Sequence, residues 1–502
     1  MIRRISNHRW LGTSLDVQCS RNPRRASVLV GLLWCVALLS LVVVGVLHTS
    51  RIDLMAGKNY GDRIQAHYLA LAGIEKAKAL LYKSAHDRST SGKNHTGELY
   101  NAPDQFRDVS FGRGKFRVFR RGRQDEGGGI IYGISDEESR LNINTASIQQ
   151  FTNLNGMTVD IAKAILDWRG GANNNNDNNN NNNGADANAP ANANAPTGVG
   201  ANDDYYMGLQ PPYQPRHGPL QTVRELLLVR GVTRDLLFGS DKHQNGLLPP
   251  AGDGEDDSFA GDQNADTDAG WAELFTAAST QKNVDAAGQD RVNVQSADEN
   301  TLTGVKGISS AMARAIVSYR GQNQFQSIAD LLDVTAQQNQ GQNSGGNQNS
   351  NGRSGNQNSG NSSGQSSGGS GNKVISQDDF LQFADNVTTV DGQDLSGLIN
   401  INTASRDVLM CLPGVDRQLA QAIIMYRQSS GYFPNTGELL KVGGMTSDIF
   451  KQVAPLVTAR SETFRILSEG KVTSTGARQR IQEVVHIGLS EVKTLGYRED
   501  NL

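Results

Sequence analysis

One pattern occurs three times along this chain, and the repeat constrains the fold more than any other feature. Leu141-Asn-Ile-Asn-Thr-Ala-Ser147 recurs as Val292-Asn-Val-Gln-Ser-Ala-Asp298 and as Ile399-Asn-Ile-Asn-Thr-Ala-Ser405. A second block comes after each copy, LNGMTVDIAKAIL at 154–166, VKGISSAMARAIV at 305–317 and LPGVDRQLAQAII at 412–424. Arg169, Arg320 and Arg427 then stand in register, succeeded by an apolar anchor and a Leu-Leu pair: Leu220 with Leu226 and Leu227, Phe325 with Leu331 and Leu332, Phe433 with Leu439 and Leu440. Such order at long spacing marks one structural unit used three times.

The physics of the unit is simple. Alternating apolar residues give a short extended segment, and a Ser or Thr hydroxyl then caps a helix. Gly156, Gly307 and Gly414 take the tight turn between two helices. Ala at 162, 313 and 420, each with Ile three residues on, packs the second helix on the first. Each copy is therefore a helix-hairpin-helix unit, with the Leu-Leu segment as its second half. Such hairpins can aim the amides of a G-x-G turn at a phosphate. Here the second glycine position holds Thr158, Ser309 and Asp416, whose side chains crowd that approach, and Asp416 repels an anion. A scaffold packing against proteins is favoured. A membrane-anchored DNA-binding protein is the alternative.

Ala26–Leu47 runs 22 residues without a charge, about 33 Å as a helix, enough to cross a bilayer. Arg3, Arg4, Arg9, Arg21, Arg24 and Arg25 precede it against one acid, Asp16. That asymmetry predicts a cytoplasmic N-terminus and an exported remainder. The stretch is long for a cleaved signal and lacks a good small-x-small site, so a permanent anchor is expected. Beyond it, Leu54, Ile64, Tyr68, Leu71, Ile74, Ala77, Leu80 and Leu81 keep helical spacing, with Gly57, Gly61 and Gly73 as local weak points.

Only 37% of residues are hydrophobic, because two tracts cannot fill a core. These are 172–201, rich in Asn, and 337–372, built of Gln, Asn, Gly and Ser, both expected to be disordered inserts. Alternation at Lys115–Arg121, Ile130–Ile134, Thr463–Leu467 and Gln482–Ile487 predicts strands. Strands from either side of the repeats should form one discontinuous sheet against the exported half of the helix. The fold class expected is α+β, with a long N-terminal transmembrane helix, a small discontinuous antiparallel sheet and an inserted all-α domain of repeated helix-hairpin-helix (SAM-like) modules. Its expected divisions are a basic leader 1–26, transmembrane helix 27–48, exported helix 49–88, strands 89–140, module one 141–250, an acidic linker 251–290, module two 291–391, module three 392–460 and closing strands 461–495. Lys+Arg 48 against Asp+Glu 51 signals no polyanionic partner. Three cysteines and no C-x-x-C exclude a disulfide framework or a cysteine metal centre. His48, His67, His86 and His217 stand alone and Cys411 reads as a small buried residue, so no catalytic set is found.

The basic leader, the junction Arg25-Ala26-Ser27-Val28 and the single long helix resemble the type IV pilin and pseudopilin family. Tyr132-Gly-Ile-Ser-Asp-Glu-Glu-Ser-Arg-Leu-Asn-Ile-Asn-Thr-Ala146, Asp203-Asp-Tyr-Tyr-Met-Gly-Leu-Gln-Pro-Pro-Tyr213, Leu226-Leu-Leu-Val-Arg-Gly-Val-Thr233 and Phe464-Arg-Ile466 are similar to the protein K family of type II secretion. The resemblance implies cleavage between Ala26 and Ser27 by a prepilin peptidase. It also implies Gly31 at the fifth mature position, where most of the wider family carries Glu. It further implies a non-enzymatic minor pseudopilin at the tip of a pseudopilus, packing through Gly31, Trp34, Leu38 and Gly45 in the inner membrane. Its bulk would be periplasmic, its partners other minor pseudopilins and the inner-membrane secretion platform. Some members hold calcium, for which Asp167, Asp203 and Asp204 are the candidates here.

Overall fold

The computed structural model describes residues 23–94, 97–170, 203–239, 241, 270–335 and 373–500. The leader before Pro23, both low-complexity inserts and the linker up to 269 lie outside the described residues. The chain divides into two compact units, Met1–Ile64 and Gln65–Leu502.

A single helix, α1 (Pro23–Ser91), runs from the first unit into the second. In the first unit its apolar side chains from Val28 to Leu47 are exposed, as expected of a lipid-facing surface. In the second unit, Ala70, Ile74, Ala77 and Leu81 recur every three or four residues and bury one stripe against a sheet. The opposite faces of that sheet's strands alternate with period two, so only one set reaches the helix.

The sheet is discontinuous in sequence. Strands β1 (Val109–Phe111), β2 (Gly114–Val118) and β3 (Ser135–Asp136) precede the modules. Strands β4 (Thr463–Val472), β5 (Arg478–Ile487) and β6 (Val492–Asp500) come after them. The order is β1-β2-β4-β5-β6, and β3 also pairs with β4 at Phe464 and Arg465. Every pairing is antiparallel. Val118 opposite Ser468 fixes the register across the long insertion. Phe464, Ile466, Ile481, Val485 and Ile487 supply the helix-facing core. Ile130–Ile131 lies off this sheet, paired with Arg120–Arg121.

Each module begins and ends in a short strand, and the two ends pair in parallel. Leu141–Asn142 pairs with Phe275–Thr276, Val292–Asn293 with Val387–Thr388, and Ile399–Asn400 with Val457–Thr458. Between them lie two helical hairpins. In module three these are Arg406–Leu409 with Arg417–Ser429, then the 3-10 turn Thr436–Lys441 with Ser447–Val453. The anchors Leu220, Phe325 and Phe433 are buried, as are the leading leucines Leu226, Leu331 and Leu439. Leu227, by contrast, is exposed.

Two sequence expectations change. Residues 270–290, assigned to an acidic linker, hold the 3-10 turn Trp271–Glu273, the closing strand of module one and a strand Thr280–Lys282 paired with Asp394–Ser396. The physical reason is closure. A Cβ on Gly270 would meet Gly239 N and Leu237 O at 2.5 Å, so the chain returns to the point it left, and Trp271 and Phe275 complete the core of module one. The C-terminal strands also extend past 495, because β6 pairs with β5 as far as Asp500.

Candidate functional site

The repeated residues fall into one geometry three times over. Ser147, Asp298 and Ser405 cap the first helix of each module by accepting the amide three residues on. Gly156, Gly307 and Gly414 then turn the chain at φ of 75°, 98° and 71°, a region that L side chains avoid. Thr158, Ser309 and Asp416 cap the second helix, accepting from Ile161, Met312 and Leu419 at 3.3, 3.3 and 2.8 Å. These are the positions at which a phosphate-binding hairpin needs glycine and free amides. Here a capping side chain takes one of those amides in each module.

The aligned arginines serve the module's interior. Arg169 donates to the carbonyls of Ile143 and Ala146 at 2.7 and 2.8 Å. Arg320 donates to Val294 and Ala297 at 3.0 and 2.5 Å, and Arg427 to Ile401 and Ala404 at 3.1 and 2.8 Å. One guanidinium thus satisfies two carbonyls of the extended loop, a role the sequence alone could not separate from an ion pair. The second polar residue of each loop does the reciprocal work. Asn144 bonds both the amide and carbonyl of Leu220, and Asn402 those of Phe433, while Gln295 donates to the carbonyl of Phe325.

The run Asp136-Glu137-Glu138 joins these modules to the sheet. All three side chains are buried, and together they reach module one, module three and the start of β4. Glu137 takes the cations: Arg465 Nε lies 2.6 Å away and Arg140 Nε 4.0 Å, and Thr276 Oγ1 of module one donates to it as well. Burial alone would raise its pKa, but the two arginines hold it below the usual carboxylate value. Asp136 accepts from Asn400 Nδ2 at 3.0 Å, Ser461 Oγ at 2.7 Å and Thr403 Oγ1, all in or beside module three. Glu138 accepts from the amide of Thr463 at 3.2 Å at the start of β4. Burial raises the pKa of both Asp136 and Glu138.

The expected assembly residues lie on α1. Ala26 and Ser27 fall within its first turns. Trp34 and Leu38 are exposed, and a Cβ on Gly31 or Gly45 would meet nothing within 4 Å. The helix is long and apolar enough to cross a membrane. The calcium candidates are dispersed in use. Asp203 pairs with His217 at 3.0 Å, Asp204 stands beside it in the helix Asp203–Met207, and Asp167 lies in the helix Val159–Trp168. Among the described residues no three His, Cys, Asp or Glu side chains form a ligand set.

One functional contact escaped the sequence. Gly73, expected only to weaken α1, is where the helix closes on the sheet: a Cβ there would fall on Ser468 Oγ and lie 2.9 Å from Phe116. A close approach of that kind depends on a strand hundreds of residues away, and no local signal marks it.

Known proteins share parts of this architecture. Residues 288–336 and 396–458 match the helix-hairpin-helix motif. Residues 139–238 match the family described as Type II secretion system (T2SS), protein K. Among curated proteins, the chain is 46% identical over 55 residues to endonuclease/exonuclease/phosphatase family domain-containing protein 1 of Xenopus laevis, covering 11% of this chain and 10% of that one. It is 26% identical over 211 residues to the Bos taurus protein of the same name, covering 42% and 35%. It is 35% identical over 63 residues to ComE operon protein 1 of Bacillus subtilis (strain 168), covering 12% and 31%. The chain thus spans about a tenth to a third of the length of these relatives. Among solved structures, the GspK-GspI-GspJ complex from the enterotoxigenic Escherichia coli type 2 secretion system is similar at 11% identity and a TM-score of 0.39, covering 90% of this chain and 100% of that one. The protein K match runs from Ser139, beside the acid run, to Phe238 at the end of the second hairpin of module one, and this part of the chain is similar to the type II secretion system protein K family.

Proposed function

We propose that this chain is a minor pseudopilin that assembles at the tip of a type II secretion pseudopilus and starts or caps it, so that filament growth can drive folded proteins across the outer membrane. The observation that carries the reading is α1. One continuous helix has an exposed apolar surface from Val28 to Leu47, and its other end is packed on the sheet that holds the modules. In lipid, helices associate by close packing and not by a hydrophobic drive, which suits small residues at Gly31 and Gly45 beside Trp34 and Leu38. Gly31 lacks the carboxylate that would pair with the N-terminal amine of a neighbouring subunit, which suits a terminal place in the filament.

The role is structural and not enzymatic. The partners in this reading are other minor pseudopilins and the inner-membrane platform. A prepilin peptidase would act between Ala26 and Ser27. The six arginines of the leader favour a cytoplasmic N-terminus and a periplasmic bulk.

The test is the mass of the mature N-terminus in native membranes with and without the peptidase, joined to disulfide crosslinking from Leu38→Cys. A new N-terminus at Ser27 and crosslinks to other pseudopilins are expected. An intact Met1 in both strains, with crosslinks absent, would overturn the reading.

A further inference from the structure

The acid run contains a pair that the modules' architecture does not explain. Glu137 uses both nearby arginines, while among the described residues no ion pair reaches Asp136 or Glu138. The backbone N–H of Glu138 donates to Asp136 Oδ1 at 2.8 Å, which sets the two acids together, and burial followed by the charge of Asp136 pushes the Glu138 carboxyl up. The groups that hydrogen-bond to them are neutral, with Arg123 and Arg120 one step behind on the carbonyls of Thr403 and Tyr100 at 2.6 and 3.0 Å. Asn400 and Thr403 come from module three, Ser461 and the amide of Thr463 from the approach to β4, and Tyr100 from the loop after α1, its hydroxyl 3.4 Å from Asp136 Oδ2. The carboxylate of Glu462 turns aside to the amide of Lys282 at 2.8 Å and to Arg88 at 3.7 Å.

Two carboxylates cannot both stay charged in such a place, because burial removes water and no ion pair replaces it. The division of donors decides which one keeps the charge. Asp136 collects four side-chain donors besides an amide, whereas Glu138 accepts from the backbone amides of Glu462 and Thr463 and from the Thr463 side chain.

We propose that Asp136 and Glu138 hold a single proton between them, carried by Glu138, and that this proton makes the joint between sheet and modules responsive to pH. The proton is lost as pH rises, two negative charges then face each other, and the joint loosens. Below the ordinary carboxylate pKa, folded and unfolded states both carry the proton on Glu138, so nothing is lost there. Above it, the unfolded chain releases a proton that the folded chain keeps, and stability falls with rising pH. A fold exported to a compartment that tracks the external medium would meet such changes directly.

The test uses the full-length chain in detergent. Infrared difference spectra of the wild type should show a protonated carboxylic acid at neutral pH that disappears in Glu138→Gln. Its Tm should fall between about pH 5 and about pH 8, with the slope reduced in Glu138→Gln, whose amide preserves the donor without a titrating proton. Glu137→Gln should keep the infrared band. Absence of the band in the folded wild type would overturn the proposal even if the variants fail to fold. An equal pH slope in wild type and Glu138→Gln would also overturn it.

Discussion

Gly470 of β4 lies against Ala66 of α1 so closely that a Cβ on the glycine would fall on the alanine's carbonyl oxygen. The same Cβ would stand 2.6 Å from Ala70 N and 2.7 Å from Leu69 Cβ. Backbone meets backbone here, and neither side can give way by rotating a side chain. Gly470→Ala should therefore push the helix off the sheet and cost about 1–3 kcal/mol. Gly73→Ala meets the movable hydroxyl of Ser468 first, so its effect should be the smaller of the two. Denaturant unfolding of both variants checks the order, and equal stability of Gly470→Ala and wild type would refute the close contact.

The arginine clamp predicts a graded series. Replacing Arg169 or Arg320 by Met strips two loop carbonyls of their donor, for a loss of about 1–3 kcal/mol each. Arg427→Met should cost more. Its Nη2 also bonds Asp125 Oδ2 at 2.9 Å, so the change leaves that carboxylate short of a partner as well. Hydrogen exchange, read on the amides of 143–147, 294–298 and 401–405, should show faster opening confined to the module mutated.

Glu126 predicts the response to acid. Burial would raise its pKa, but hydrogen bonds from Arg120 with the charges of Arg123 and Arg120 hold it at about 2, against an ordinary value of 4.5. The folded pKa is depressed, so the stabilisation is full above the unfolded value and disappears as pH falls from about 4.5 toward about 2. The pair is partly exposed, and about 2–3 kcal/mol is an upper bound at neutral pH. Glu126→Gln should lose that stability at about pH 7 and flatten the wild-type decline below about pH 4, measured as Tm against pH.

The repeat made the modules legible because the same side chains form the same bonds in each copy. Asn144, Gln295 and Asn402 tie the loop to the anchor, and Ser147, Asp298 and Ser405 cap the first helix of each hairpin. The pairing of β2 with β4 was also readable, since alternation is local even when partners are distant. The unreadable parts depend on a distant partner. Trp271–Thr276 resembles linker until Gly270 is seen to return to Gly239. β6 is an edge strand with both faces largely in solvent, so it lacks the alternation that reveals buried strands. The exposed apolar run of α1 was legible as a helix long and apolar enough to cross a membrane. The use of Asp136, Glu137 and Glu138 was not, because their acidity alone suggests a surface run.

The outer face of the sheet yields the last prediction. Glu469 on β4 accepts bidentate bonds from two strands at once, with Arg117 Nη2 at 2.6 Å on one oxygen and Arg480 Nη2 at 2.7 Å on the other. Its side chain is wholly buried, and the register puts the three residues directly opposite one another. Phe119 covers the row, with both guanidinium carbons within about 6 Å of its ring. Removing the carboxylate leaves two guanidinium groups side by side with little water, which is worse than having no charges at all. Glu469→Gln should thus cost about 3–5 kcal/mol. The triple replacement Arg117→Met, Glu469→Leu, Arg480→Met should recover most of it, because apolar side chains of similar volume remove the three buried charges together. Denaturant unfolding of the two variants decides the matter. If the triple variant is no more stable than Glu469→Gln, the row holds the strands together by its charge pairing, and desolvation is not the dominant cost.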